Sequence, residues 1–367
     1  SCSLVGSEMC IRDSYNGIAG YTSTYDPNVD IFLAKMGYSD STSITPENQT
    51  EKKFNATETY WNSPQLVMDS ILGVKYQILD KSAPGLEEYD YDSIFDGRYR
   101  VYENPYALPL AFNVSSDLYD DIEYGQNPFE NQEKYVSSAL GREVSLFFTP
   151  DYENGEMKDK EQKITVHIKQ DGPLYFYTDP NDCHENSNGD ACQLYVNGEM
   201  VQKICKRFCT NAVYIGDYKA GDTVNIKIKM HDSSAKKEKT HTVYLEQLDV
   251  AAAENALKGL ASGSSSTLNF NKNTVSGTYE TDTDSTVLLT VPYTDGWTLY
   301  VDGEKQDYKK IGDTFIGIDL TAGSHQIEMK YTTLHRNAGI ASSIVGFGGF
   351  AAWCVIDVLR KRKSEVK

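Results

Sequence analysis

The apolar positions of this chain change period along its length. Short apolar runs at Val144 to Phe148, Ile164 to Lys169, Leu174 to Thr178, Leu194 to Val196, Ala212 to Ile215 and Thr223 to Met230 are separated by turn residues, at intervals expected of a β-sandwich. From Gln247 to Ala261 the period lengthens. Leu248, Ala252, Asn255, Ala256 and Gly259 fall at helical spacing and predict a connecting helix, with Gly263-Ser264-Ser265-Ser266 as the loop after it. Thr267 to Tyr331 then reads as a second sandwich. Ala338 to Leu359 follows as an apolar run of 22 residues, about 33 Å long as a helix and enough to cross a bilayer.

The first hundred residues are mixed. Val29, Phe32, Leu33 and Met36 share one face of a short predicted helix. Pro64 to Ser70 reads as helix-like and leads into a buried strand over Ile71 to Leu79. Tyr99 to Glu103 and Leu108 to Val114 add two strands across an Asn104-Pro105 turn, completing a small α/β unit. Asn127 to Leu140 is a helix closed by Gly141, a residue suited to the left-handed cap.

The two sandwiches repeat each other. Leu194-Tyr195-Val196-Asn197-Gly198-Glu199 matches Leu299-Tyr300-Val301-Asp302-Gly303-Glu304 at an offset of 105, and Ala220-Gly221-Asp222 parallels Ala322-Gly323-Ser324. Asn-Gly and Asp-Gly between short strands are hairpin signals, because that turn needs positive φ at both central positions. Duplication is the simplest explanation.

The apolar run is followed by Arg360, Lys361, Arg362 and Lys363, and short flanks rich in Lys and Arg stay on the cytoplasmic side. The run is therefore expected to be a transmembrane helix, with everything before it outside the cell and the C-terminus inside. Ser342, Gly346 and Gly349 lie on one helix face, where a neighbouring membrane helix could approach closely.

Acidic residues outnumber basic ones, 53 to 35, for a net charge of −18, which argues against binding a phosphate backbone and sets nucleic acid aside. Tyr outnumbers Phe, 26 to 13, as suits half-exposed strands where a ring packs and its hydroxyl meets water. Ser1 to Ser14, SCSLVGSEMCIRDS, reads as translated sequencing-adapter sequence and is set aside from the fold; a domain lying outside the cell also needs an export signal upstream of this start. Cys183, Cys192, Cys205 and Cys209 cluster in the first sandwich, and outside a cell such an even cluster points to two disulfides, with connectivity open. A zinc site using these thiols and His184 is the alternative, disfavoured because a paired C-x-x-C knuckle is missing.

The run Val291-Pro292-Tyr293-Thr294-Asp295-Gly296-Trp297, then Tyr300-Val301-Asp302-Gly303, Gly317, Ala322-Gly323-Ser324-His325 and Tyr331, resembles the C-terminal ectodomain signature of the YfhO family of bacterial membrane proteins. Earlier pieces agree, including Leu72-Gly73-Val74-Lys75-Tyr76 and Val101-Tyr102-Glu103-Asn104 before Leu108-Pro109. The resemblance implies a multi-pass glycosyltransferase of the GT-C type. Such an enzyme takes a sugar from a polyprenyl-phosphate carrier and attaches it to a cell-envelope polymer such as lipoteichoic acid. It also implies that the catalytic acid, and any divalent metal, lie in a membrane part outside this chain, so that the chain alone is inactive.

The expected organisation is α+β, mainly β. It comprises a small α/β unit (15–118), a first β-sandwich (119–250), a linker helix with the second sandwich (251–335), one transmembrane helix (336–359) and a cytoplasmic tail (360–367). No catalytic residue is assigned, and no cofactor or metal ligand is identifiable. Pro292, Gly296, Trp297, Asp302, Gly303 and Gly323 are read as structural, since a Trp after Gly and an Asp-Gly turn are ordinary packing and turn chemistry. His325 reads as a structural or surface histidine, and Asp120, Asp121 and Glu123 as a solvated loop. The rival reading is a singly anchored surface protein whose sandwiches bind glycan or a protein partner.

Overall fold

The computed structural model describes residues 3–5, 16–17, 21–22, 27–38, 57–58, 63–80, 86, 91–97, 99–179, 182, 192–204, 211–230, 240–271, 273–333 and 336–365. Among these the chain is mainly β with five helices: α1 (Pro27–Lys35), α2 (Leu66–Ile71), α3 (Pro128–Leu140), α4 (Val250–Ala261) and α5 (Arg336–Glu365). The N-terminal strands are β1 (Ser3–Val5), β2 (Asn16–Gly17), β3 (Tyr21–Thr22), β4 (Thr57–Glu58), β5 (Val74–Asp80), β6 (Asp92–Asp96), β7 (Tyr99–Glu103) and β8 (Ala111–Val114). Five of them form a sheet in the order β2-β1-β5-β7-β6. β1, which the sequence reading set aside from the fold with the rest of Ser1 to Ser14, pairs in parallel with both β2 and β5.

The first sandwich uses β9 (Phe147–Phe148), β10 (Asp151–Asn154), β11 (Glu161–His167), β12 (Gly172–Thr178), β13 (Cys192–Val196), β14 (Glu199–Ile204), β15 (Val213–Tyr218), β16 (Thr223–Lys229) and β17 (Val243–Leu248). A sheet ordered β10-β11-β16-β13-β14 packs on one ordered β15-β12-β17-β9. The burial of β11 and β16 alternates as the period of two requires, with Ile164, Val166, Val224, Ile226 and Ile228 inward. β12 is buried on both faces. Leu174 and Phe176 enter the sandwich core, while Tyr175 and Tyr177 enter a central core shared with the helices.

The second sandwich uses β18 (Ser264–Ser266), β19 (Asn269–Asn271), β20 (Thr274–Thr281), β21 (Ser285–Pro292), β22 (Trp297–Val301), β23 (Glu304–Gln306), β24 (Lys309–Ile311), β25 (Phe315–Leu320) and β26 (Gly323–Tyr331). Its sheets are β18-β20-β26-β22-β23, with β19 also on β20, and β24-β25-β21-β8. Ser264 to Ser266, expected as loop, is an edge strand on β20. The backbone turns at Gly263 (φ 72°) and pairs whatever its small side chains favour.

β8 pairs with β21 across the expected boundary near residue 118. Ala111 enters the core of the second sandwich, more than 150 residues away in sequence, and Phe112 the central core. The reason is topological. In the first sandwich the place beside β12 is filled by β17, which follows β16; in the second, the chain after β26 goes to α5, and β8 takes the equivalent place beside β21.

The duplication extends to individual bonds. Asn197 Oδ1 accepts from Asn225 N at 2.9 Å, and Asp302 Oδ1 from Gln326 N at 2.8 Å. Asp171 Oδ1 caps Ala220 N at 2.9 Å, and Asp284 Oδ1 caps Ala322 N at 2.8 Å. Both turns have positive φ at their central residues, 49° and 90° at Asn197-Gly198 and 53° and 85° at Asp302-Gly303.

Between the sandwiches lies the central core, built from α1 to α4 with Tyr175, Tyr214, Leu288 and Phe315 from the sheets' outer faces. α3 starts on Asn127, whose Oδ1 accepts from Phe129 N at 3.0 Å, and ends on Gly141 at φ 64°. α4 starts on Asp249, whose Oδ1 accepts from Ala252 N at 2.9 Å. α5 stands apart. Over Gly339–Ile356 its mean hydropathy is 1.7 and none of it is buried, with Phe347 78% and Val345 75% exposed. By length and apolar composition this helix suits a bilayer crossing.

Candidate functional site

Part of the signature, Pro292, Gly296, Trp297 and Tyr331, lies where the second sandwich gives way to α5. Trp297 pairs with Tyr331 across β22 and β26, ring centroids 5.2 Å apart in an edge-to-face arrangement, and Phe270 flanks Trp297 at 6.3 Å. Gly296 is required there: a Cβ on it would lie 2.2 Å from Cε2 of Tyr331. Thr332 N donates to Gly296 O at 2.8 Å, and Tyr331 N to Asn273 O at 2.8 Å, so the last residues before the helix are tied to two loops. The Tyr308 hydroxyl closes the loop by donating to Thr294 O at 2.9 Å and Trp297 O at 3.2 Å. Pro292 sits at a break in the β21–β25 register, where a residue without an N–H costs no ladder bond.

Asp302, Gly303 and Gly323 lie at the opposite end of that sandwich. There Asp302 Oδ2 meets His325 Nδ1 at 2.8 Å, and His325 Nε2 lies 3.0 Å from Thr321 O. Both ring nitrogens face acceptors, so both donate only in the imidazolium form, and the bond to Asp302 raises the His325 pKa. This geometry clamps a turn and leaves the imidazole no free lone pair to act as a base.

Asp69 and Glu246, two of the three buried acids among the described residues, escaped the sequence reading, since an acid in an apolar stretch carries no mark of its partners. Asp69, 1% exposed on α2, accepts from Tyr38 Oη at 2.6 Å, Gln65 N at 2.7 Å and Gln77 Nε2 at 2.6 Å. Burial nevertheless raises its pKa to about 7. Gln65 Oε1 in turn accepts from Gln132 Nε2 at 2.6 Å, joining this network to α3. Glu246, 8% exposed on β17, holds Thr149 Oγ1 at 3.0 Å from both carboxylate oxygens; burial raises its pKa to about 7, with Glu133 and Glu130 adding to the rise. Both groups are enclosed by their own partners and join elements of the fold.

The expected solvated acids, Asp120, Asp121 and Glu123, line an open groove of about 540 Å³ beside α3, with Asp117 and Glu143 also on its walls. Glu133, also on its wall, is engaged by Leu146 N at 2.6 Å and Phe147 N at 2.8 Å, and Lys134 Nζ donates to Glu123 O at 2.8 Å. Among the described residues no group of three or more His, Cys, Asp or Glu is arranged to hold a metal ion. Of the disulfide candidates, Cys183, Cys205 and Cys209 lie outside the described residues, as does His184 of the zinc alternative. Cys192 is buried on β13 with Sγ 3.8 Å from His241 Nε2.

Comparison with known proteins accords with the apolar helix. The family described as "Bacterial membrane protein YfhO" matches residues 8–343. A curated relative, "Uncharacterized protein YfhO" of Bacillus subtilis (strain 168), is 21% identical in an alignment 341 positions long that covers 86% of this chain; the chain spans only 38% of that relative's length. Among solved structures, a cupin 2 conserved barrel domain protein from Leptotrichia buccalis aligns over 52% of this chain and 98% of its own at 8% identity, with a TM-score of 0.12 that carries no argument. With the family matched across nearly the whole length, from the N-terminal sheet into α5, the chain belongs to the YfhO family of bacterial membrane proteins.

Proposed function

We propose that this chain is the extracellular C-terminal part of a membrane glycosyltransferase. The protein transfers a sugar from a polyprenyl-phosphate carrier to a cell-envelope polymer such as lipoteichoic acid. The reacting groups, and any metal they use, belong to membrane segments beyond this chain, and the sandwiches hold the acceptor polymer near the membrane surface. In this reading the sandwiches face outward and Arg360 to Lys363 lie in the cytoplasm. The observation that carries it is the use of the family signature: Gly296 and Trp297 are spent on fixing β26, the strand that becomes the membrane helix. Binding energy from a rigidly placed acceptor site raises the effective concentration of polymer at a reactive centre in the bilayer. The test is deletion of the complete gene in its host, followed by NMR of purified lipoteichoic acid. Loss of a sugar substituent, restored by the whole gene and not by this chain alone, is expected; an unchanged substituent pattern overturns the reading.

A further inference from the structure

Tyr331 ends β26 and Arg336 begins α5, with Gly339 opening the apolar span. Five backbone steps of at most about 3.6 Å and three helical rises of about 1.5 Å separate Tyr331 from Gly339, so this end of the sandwich lies within roughly 22 Å of the hydrocarbon edge. At that end Trp297 packs on both Tyr331 and Phe270, and Tyr293 packs on Tyr308, all of them half-buried, so their rings pack inward while part of each remains accessible. The connection from Tyr293 to Trp297 is braced by the Tyr308 hydroxyl, which comes from the β23–β24 connection and meets the carbonyls of Thr294 and Trp297. The opposite end of the same sandwich is acidic, carrying Asp282, Asp284, Asp302 and Glu304. The near end carries Asp295 and Asp307 together with Lys309, Lys310 and Lys330, of which Lys309 pairs with Asp319 at 3.4 Å and Lys330 with Glu328 at 2.8 Å.

We propose that the Trp297 end of the second sandwich is a lipid-contact surface, seated in the headgroup layer of the leaflet from which α5 departs. Trp and Tyr rings favour that layer because one part is apolar and another donates a hydrogen bond. The acidic end then points away from anionic headgroups. Contact at both α5 and Trp297 fixes the tilt of the ectodomain, which a single helix joined by four residues leaves free. The inference needs α5 in a bilayer and is independent of any sugar transfer.

The test uses the full chain in phosphatidylcholine–phosphatidylglycerol nanodiscs. Hydroxyl-radical footprinting of the unaltered chain compares Trp297 and Tyr293 with Tyr195 and Tyr300, which are equally half-buried but lie on the outer faces of the sheets. Trp297 and Tyr293 are expected to oxidise at least threefold more slowly; equal rates overturn the proposal. A W61F/W353F variant leaves Trp297 as the only tryptophan for quenching by spin-labelled lipids. Headgroup-labelled lipid is expected to quench it at least twofold more than lipid labelled near the chain terminus, and absence of quenching by either overturns the proposal.

Discussion

Gly296 lies under the ring of Tyr331, so close that a methyl group on it would sit 2.2 Å from Cε2. Replacing Gly296 by Ala therefore forces Tyr331 off Trp297 or moves the loop, an overpacking cost of about 1–3 kcal/mol. Urea unfolding followed by Trp emission measures it. In a Tyr331→Ala background the same change should cost much less, because the two residues are coupled. Additive costs would show that the ring is not what Gly296 accommodates.

Stability should fall as pH rises from about 4 to about 7. The folded pKa of Asp69 is about 7 against 3.8 ordinarily, and that of Glu246 about 7 against 4.5, so between those limits the folded state binds more protons than the unfolded state. Their stabilising contribution is full below the unfolded values, is lost as pH rises through the folded ones, and is flat above. Asp69→Asn imitates the protonated form. It is expected to keep stability near pH 5 and to reduce the decline between pH 5 and 7, read from thermal midpoints across pH; an unaltered slope contradicts the assignment.

The second sandwich should depend on β8. Asn113 on that strand accepts from Tyr279 Oη at 2.7 Å and donates to Thr281 Oγ1 at 3.0 Å, so Asn113→Ala strands buried polar groups at about 1–3 kcal/mol. A fragment of residues 251–335 leaves the β21 edge open and should aggregate or unfold, and adding a peptide of residues 106–118 should stabilise it. Circular dichroism melting with and without the peptide decides this; a fragment whose melting ignores the peptide contradicts the pairing.

The contrast between β8 and the turns shows which parts of the fold were legible. Asn197-Gly198 and Asp302-Gly303 declare their geometry locally, because positive φ at both positions selects those residue types. The caps at Asn127, Gly141 and Asp249 are likewise local, and so is the apolar length of α5. β8 is not local: its partner is set by which place in a distant sheet the chain has left empty. The same holds for the site. Gly296 and Trp297 stand out as a motif, but what they do depends on Tyr331, 35 residues on, and Asp69 is an acid in an apolar run whose donors come from three separate segments.

The orientation of α5 is testable directly. A reporter active only outside the cytoplasm, fused after Lys367, should be silent, and one active only inside should work, given the basic cluster Arg360 to Lys363. The opposite pattern would put the sandwiches in the cytoplasm and exclude an extracellular acceptor.

Sugar transfer itself is the central claim. The complete protein, in membranes supplied with a labelled polyprenyl-phosphate sugar and lipoteichoic acid, is predicted to move label into the polymer, while this chain alone moves none. Label that stays wholly on the carrier with the complete protein, across the common hexose and aminosugar donors, would contradict the account.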